Sequence, residues 1–159
     1  MLEALGNIGD FLGGLGVVVT LIYLASQIRQ NTGSVRMSAF QAAQRDIADA
    51  FDGLSHDPEL LRVYFEGNRD FESFSKEDRR RYAAFMSGLL RRYETFLYHT
   101  RLGNIELSQW EGPLAELRTA FRFPGTRAWW AGARSSFNTE LRDFIDREIL
   151  TAEPGPPAV

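Results

Sequence analysis

Eighteen consecutive residues, 11–28 (FLGGLGVVVTLIYLASQI), carry no charge, and no other stretch of this chain resembles them. As a helix rising about 1.5 Å per residue, the run spans roughly 27 Å, close to the ~30 Å of a bilayer's hydrocarbon core. Ile8 and Gly9 extend it and Asp10 falls at headgroup depth. The expected transmembrane helix therefore covers residues 8–28, after a short N-terminal tail of residues 1–7. Residues 17–24 hold most of the apolar driving force, and Tyr23 suits an interface as membrane-flanking aromatics do.

Two other readings compete. A cleaved signal peptide fits poorly, because Glu3 and Asp10 stand where Lys or Arg is wanted. A cut after Ala25 or Ser26 would also set Tyr23 or Leu24 three residues before it, where small residues belong. The plainer alternative is a buried core helix of a water-soluble protein. Every Lys and Arg lies at or after position 29, with Arg29, Arg36 and Arg45 close behind the run. The positive-inside rule then places the N-terminus outside and the rest in the cytoplasm, as for a bacterial inner-membrane protein. The absence of cysteine agrees with a reducing compartment.

The small residues of the run share a face. Gly9, Gly13, Gly16 and Thr20 follow i, i+4, i+7, i+11 spacing, and Gly9 with Gly13 forms a GxxxG pair. Small residues let helix backbones approach closely in lipid, so this face is the candidate for membrane-helix association.

Composition narrows the remaining choices. The net charge is −3, and it becomes −1 without Glu3 and Asp10. A nucleic-acid binder needs a basic surface that releases counterions, so none is expected as partner. No CxxC, HExxH, phosphate-binding loop or GxSxG motif is present, and neither a cofactor nor a metal is expected.

Beyond the run, apolar residues recur at helical period and strand alternation is missing. Phe40, Ala43, Ile47, Phe51 and Leu54 form one stripe, and residues 29–33 can join it to the first helix through Gly33. Asp57-Pro58 reads as the cap and first residue of a short helix ending near Glu66. Ser75-x-x-Asp78 resembles a capping box and opens the longest helix, residues 76–102, stopped by Gly103. Its stripe is Tyr82, Phe85, Met86, Leu89, Tyr93, Phe96 and Leu97. Ser108-x-x-Glu111 reads as a second box, before Trp110, Leu114, Leu117 and Phe121. The sequence Phe123-Pro124-Gly125-Thr126 breaks that helix, with Thr126 expected to cap a short one bearing Trp129 and Trp130. A last helix carries Phe137, Leu141, Phe144, Ile145 and Ile149. Residues 151–159 (TAEPGPPAV) are too poor in apolar groups to fold and read as a disordered tail. The expected fold is all-α, a transmembrane helix continuing into a bundle of about five helices over residues 29–150.

Candidate chemistry is sparse. Glu94 and His99 lie five residues apart on the long helix, about 140° from sharing a face, so they make no acid/base pair. Glu94, near Arg91 and Arg92, reads as a structural carboxylate, and His99 as a partner of the helix dipole. His56 sits in a turn. The long helix carries seven basic against three acidic residues. Its Arg79, Arg80 and Arg81 are candidates for lipid-headgroup or partner contact, with pairing to acids on neighbouring helices as the plainer reading. Of Trp129 and Trp130, adjacent on a short helix, one is expected to face outward at a partner surface. Arg92, Tyr93 and Glu94 are candidates for a ligand pocket with an aromatic wall from Trp129 or Trp130.

Taken together, Gln27-Ile28-Arg29-Gln30-Asn31-Thr32, Asp57-Pro58-Glu59-Leu60, Arg92-Tyr93-Glu94, Gly103-x-Ile105 with Trp110, and Pro124-Gly125-x-Arg127-x-Trp129-Trp130 make a pattern. Arg134, Phe137 and Phe144-Ile145-Asp146 close it. This layout resembles small bacterial proteins with an N-terminal membrane helix and a helical domain of unknown function. The resemblance implies the anchor and the helical fold and carries no activity, substrate or cofactor. The expected function is a single-pass anchored module, not an enzyme, that binds a protein partner or itself. The alternatives are a soluble homo-oligomer with its N-terminal helices in a shared core, and a small-ligand binder or enzyme using the pocket near Glu94.

Overall fold

The computed structural model describes residues 2–151, with side chains from residue 13 onward. Six α-helices and no strand occur among the described residues. They are α1 (Leu2–His56), α2 (Pro58–Arg69), α3 (Lys76–Arg101), α4 (Leu107–Ala120), α5 (Pro124–Ala133) and α6 (Thr139–Phe144). A 3-10 turn, Arg134–Ser136, precedes α6, and a π-helical turn, Ile145–Ile149, continues it. The chain divides into two compact units, Met1–Ser38 and Ala39–Val159. The fold class is thus all-α, as the apolar periodicity requires. Within the tail expected over residues 151–159, all but Thr151 lie outside the described residues.

In the first unit, every side chain described, from Gly13 to Ser38, is exposed. Among the described residues no helix is long and apolar enough to cross a membrane, so the transmembrane expectation is not borne out. Gly13, Gly14 and Gly16 at one end of the described run, and Ser26 and Gln27 at the other, dilute its apolar groups.

The second unit has a core built around α3. Tyr82, Met86, Leu89, Leu90, Tyr93, Phe96 and Leu97 are buried along its stripe, and Phe85 is half-buried beside them. The last turns of α1 add Ala43, Ile47, Ala50 and Leu54. Phe40 meets Phe96 edge to face at 6.3 Å, and Phe96 lies 5.0 Å from Trp110 of α4.

Local chemistry explains the boundaries. Asp57 caps α2 by accepting from the Glu59 and Leu60 N–H groups, both at 3.0 Å, and Pro58 takes the first turn. The Ser75 hydroxyl accepts from Asp78 N–H at 3.1 Å and opens α3. Gly103, at φ +71°, ends that helix in the left-handed conformation a glycine tolerates. Two caps differ from expectation. At the start of α4 the cap is Glu106, whose N–H donates to the Gln109 side chain at 3.0 Å, so the helix begins ahead of Ser108. Thr126 lies inside α5 and not at its cap, because Phe123 caps the helix and Pro124 needs no N–H partner there. The Thr126 hydroxyl is needed elsewhere.

It closes a buried polar cluster where α2, α3 and α5 meet. Asn68 Oδ1 accepts from the Tyr82 hydroxyl at 2.8 Å and from the Thr126 hydroxyl at 3.0 Å. The approach is close enough to demand glycine. A Cβ at Gly125 would lie 1.9 Å from the Gly67 carbonyl oxygen, and one at Gly67 would lie 2.4 Å from the Tyr82 ring.

Candidate functional site

Two features stand apart from ordinary packing, one in each unit. The first is the apolar run. Leu15, Val17, Val18, Val19, Leu21, Ile22, Leu24 and Ile28 are all exposed, Ile22 at 66% and Ile28 at 67%. Over residues 17–24 only Thr20 and Tyr23 interrupt the apolar surface, so it encircles the helix and is no stripe. Several polar side chains on and just after it bond within the helix. Thr20 donates to the Gly16 carbonyl at 2.8 Å, Gln27 to the Tyr23 hydroxyl at 2.6 Å, and Thr32 to the Ile28 carbonyl at 2.9 Å. Of the association face, a Cβ added at Gly13 or Gly16 would meet nothing within 4 Å, which leaves both positions open to a close neighbour. Gly9 lies outside the residues whose side chains are described.

The second feature is a cavity of about 360 Å³ among α1, α2, α3 and α4. Phe51, Tyr64, Met86, Leu89, Tyr93 and Phe123 supply most of its wall, and Glu116 is the one charged residue lining it. The Tyr93 hydroxyl donates to Glu116 Oε2 at 3.2 Å. Burial is the main force pushing the Tyr93 phenol well above its usual range, and the neighbouring Glu116 charge adds to it. Burial likewise raises Tyr64, against a weaker opposing effect from Asn68. A general acid or base works best with a pKa near neutrality, and these shifts run the other way. Both phenols stay protonated at neutral pH.

The structure does not bring Arg92, Tyr93 and Glu94 to one pocket. Consecutive helical residues point about 100° apart, and the three serve three neighbours. Tyr93 lines the cavity. Arg92 donates to the Gly88 carbonyl at 2.9 Å and borders a separate groove with Asp49 and Gly53. Glu94 Oε1 accepts from Asn138 N–H at 3.0 Å and so holds the residue that caps α6.

Trp129 and Trp130 are both buried, 3% and 2% exposed, which corrects the expectation of an outward-facing tryptophan. Helix α5 is covered on two sides. Trp129 packs against Tyr82 and Phe137, while Trp130 packs against Phe121 and Phe137 and donates its indole N–H to Asp146 at 3.0 Å. Arg134 also pairs with Asp146.

The arginine triplet is divided. Arg79 lies over the Phe71 ring at 5.8 Å and bonds the Glu72 carbonyl. Arg81 pairs with Glu77 at 2.8 Å and approaches Glu59 at 3.9 Å. Arg80 is exposed. His99 sits 3.4 Å from the Asn104 side chain, and His56 2.8 Å from the Asp52 carbonyl. Among the described residues no group of three His, Cys, Asp or Glu could hold a metal ion.

Glu116 and Tyr64 were not singled out by sequence reasoning, and Phe51 only as a member of an apolar stripe. They come from three helices far apart in the chain, and each fits an ordinary helical pattern in its own segment. Compared with protein-family models, with curated proteins and with solved structures, the chain matches none.

Proposed function

We propose that this chain is a single-pass membrane-anchored helical protein whose domain acts as a partner-binding or self-associating module, without catalysis of its own. In this reading residues 8–28 lie in the inner membrane of a bacterium, the N-terminus is outside, and the domain is in the cytoplasm. The observation that carries it is the exposure of every described side chain in the run, with apolar groups on all sides of the helix. So large an apolar surface does not stay in water. A helix that is apolar all round belongs either in lipid or in the middle of a protein assembly, and among the described residues of this unit nothing covers it. Its backbone bonds are internal, as hydrocarbon demands, and the Thr20 hydroxyl bonds back to the Gly16 carbonyl one turn earlier.

The second reading is a soluble homo-oligomer in which the N-terminal helices cover one another. The open positions at Gly13 and Gly16 favour it, because they leave room for a second helix at close range. One fractionation separates the two. Full-length protein that stays in the pellet after a carbonate wash of membranes supports the anchor. Protein released to the supernatant overturns it, and a single sharp oligomer in detergent-free buffer by light scattering then supports the second reading.

A further inference from the structure

We infer that the cavity among α1, α2, α3 and α4 is a binding site for a small apolar amine, with Glu116 as the counter-charge to its nitrogen. Its volume of about 360 Å³ falls in the range of small-molecule sites, roughly 300–1,000 Å³. The composition of the wall sets the class of ligand. Phe51, Tyr64, Met86, Leu89 and Phe123 offer no charge and demand an apolar body. At one edge stands a single carboxylate, Glu116, which makes no ion pair among the described residues. Glu116 is exposed at that edge, and its Oε2 accepts from the Tyr93 hydroxyl, which ties the carboxylate to the cavity wall.

An anionic ligand would meet that carboxylate as a like charge. A neutral apolar one would gain nothing from it. An ammonium group gains twice, from the charge and from the faces of the surrounding aromatic rings, which attract cations. Tyr93 stays protonated at neutral pH and is committed to donating, so it positions Glu116 without competing for the ligand's protons. The site lies wholly within the second unit and does not depend on what covers the apolar run.

The experiment is calorimetric titration of the full chain, held in lipid nanodiscs with empty discs as the blank, with 4-phenylbutylamine and its uncharged counterpart 4-phenylbutanol. Saturable binding of the amine at one site per chain, tighter than the alcohol, is expected. Glu116→Gln should weaken the amine by roughly tenfold or more, the cost of losing a charged hydrogen-bond partner, and leave the alcohol unchanged. Ala115→Trp, at an exposed position on the rim, should block both ligands while leaving the helical circular-dichroism signal intact. Amine uptake no greater than that of empty discs overturns the inference. So does equal affinity for amine and alcohol, or an amine affinity that Glu116→Gln does not alter.

Discussion

The first half of α1 and the whole of α3 are both helices rich in apolar residues, yet their side chains meet opposite fates. In α3 the apolar residues recur every three or four positions and form a stripe, so one face is buried and the arginines stay outside. In residues 13–28 they follow one another without a period, and all of them are exposed. Hydrophobicity alone therefore does not decide burial within a chain. A stripe can be covered by neighbours on one side, while an apolar surface on all sides needs a medium or a ring of partners.

Substitutions in the two regions should separate by what they report. The largest effect is expected from Phe96→Ala, which removes a fully buried ring wedged between Phe40 and Trp110 and should lower the unfolding free energy by about 4 kcal/mol. Val18→Ala in the run should change the same denaturant transition by less than about 0.5 kcal/mol, the usual scale for exposed sites. Comparable losses at the two positions would break the distinction. Leu21→Arg sharpens it from the other side. It should leave the transition unaltered but abolish retention in carbonate-washed membranes, because arginine in mid-bilayer costs about 3 kcal/mol.

Glycines give the next contrast. Gly125→Ala should destabilise by about 3 kcal/mol, since its methyl group would meet the Gly67 carbonyl and force α2 and α5 apart. Gly13→Ala should be neutral or mildly helix-promoting, with no atom in the way. Thermal unfolding of both variants checks the pair. In the polar cluster, Asn68→Ala would remove the acceptor shared by the Tyr82 and Thr126 hydroxyls, which then have only each other at 3.1 Å, at a cost of about 2 kcal/mol by denaturant titration.

The smallest effect is one of pH. Burial raises the phenols of Tyr64, Tyr82 and Tyr93 above the usual value of 10.0. The unfolded chain releases those protons first, so ionisation favours unfolding. Their contribution is complete below about pH 10 and is lost as the pH rises toward the folded values. Unfolding free energies measured across that window should fall with pH, and less steeply in Tyr82→Phe.

Much of this domain was legible in its sequence. Asp57-Pro58, Ser75 and Gly103 marked helix ends because capping is a contact between residues two to four apart. The stripe of α3 was legible for the same kind of reason, since its period belongs to one helix. Misreadings arose where a local pattern competed with a distant partner. Thr126 has the chemistry of a cap, but Asn68 claims its hydroxyl from another helix. Two adjacent tryptophans cannot share a face of an isolated helix, and a helix covered on two sides buries both. Glu94, read as a structural carboxylate beside Arg91 and Arg92 with a pocket as the alternative, holds the N–H of Asn138 from a distant segment.

The sequence by itself determined that this chain is helical, where most of its helices begin and end, and that residues 11–28 are a run without charge. Those properties follow from interactions within a turn or two of helix. Only the tertiary structure decided that α2 and α5 touch through glycines, that both tryptophans are internal, and that Tyr93 and Glu116 meet at the edge of a cavity. Each depends on residues tens of positions apart, brought together because burying α3's stripe leaves its neighbours few places to pack.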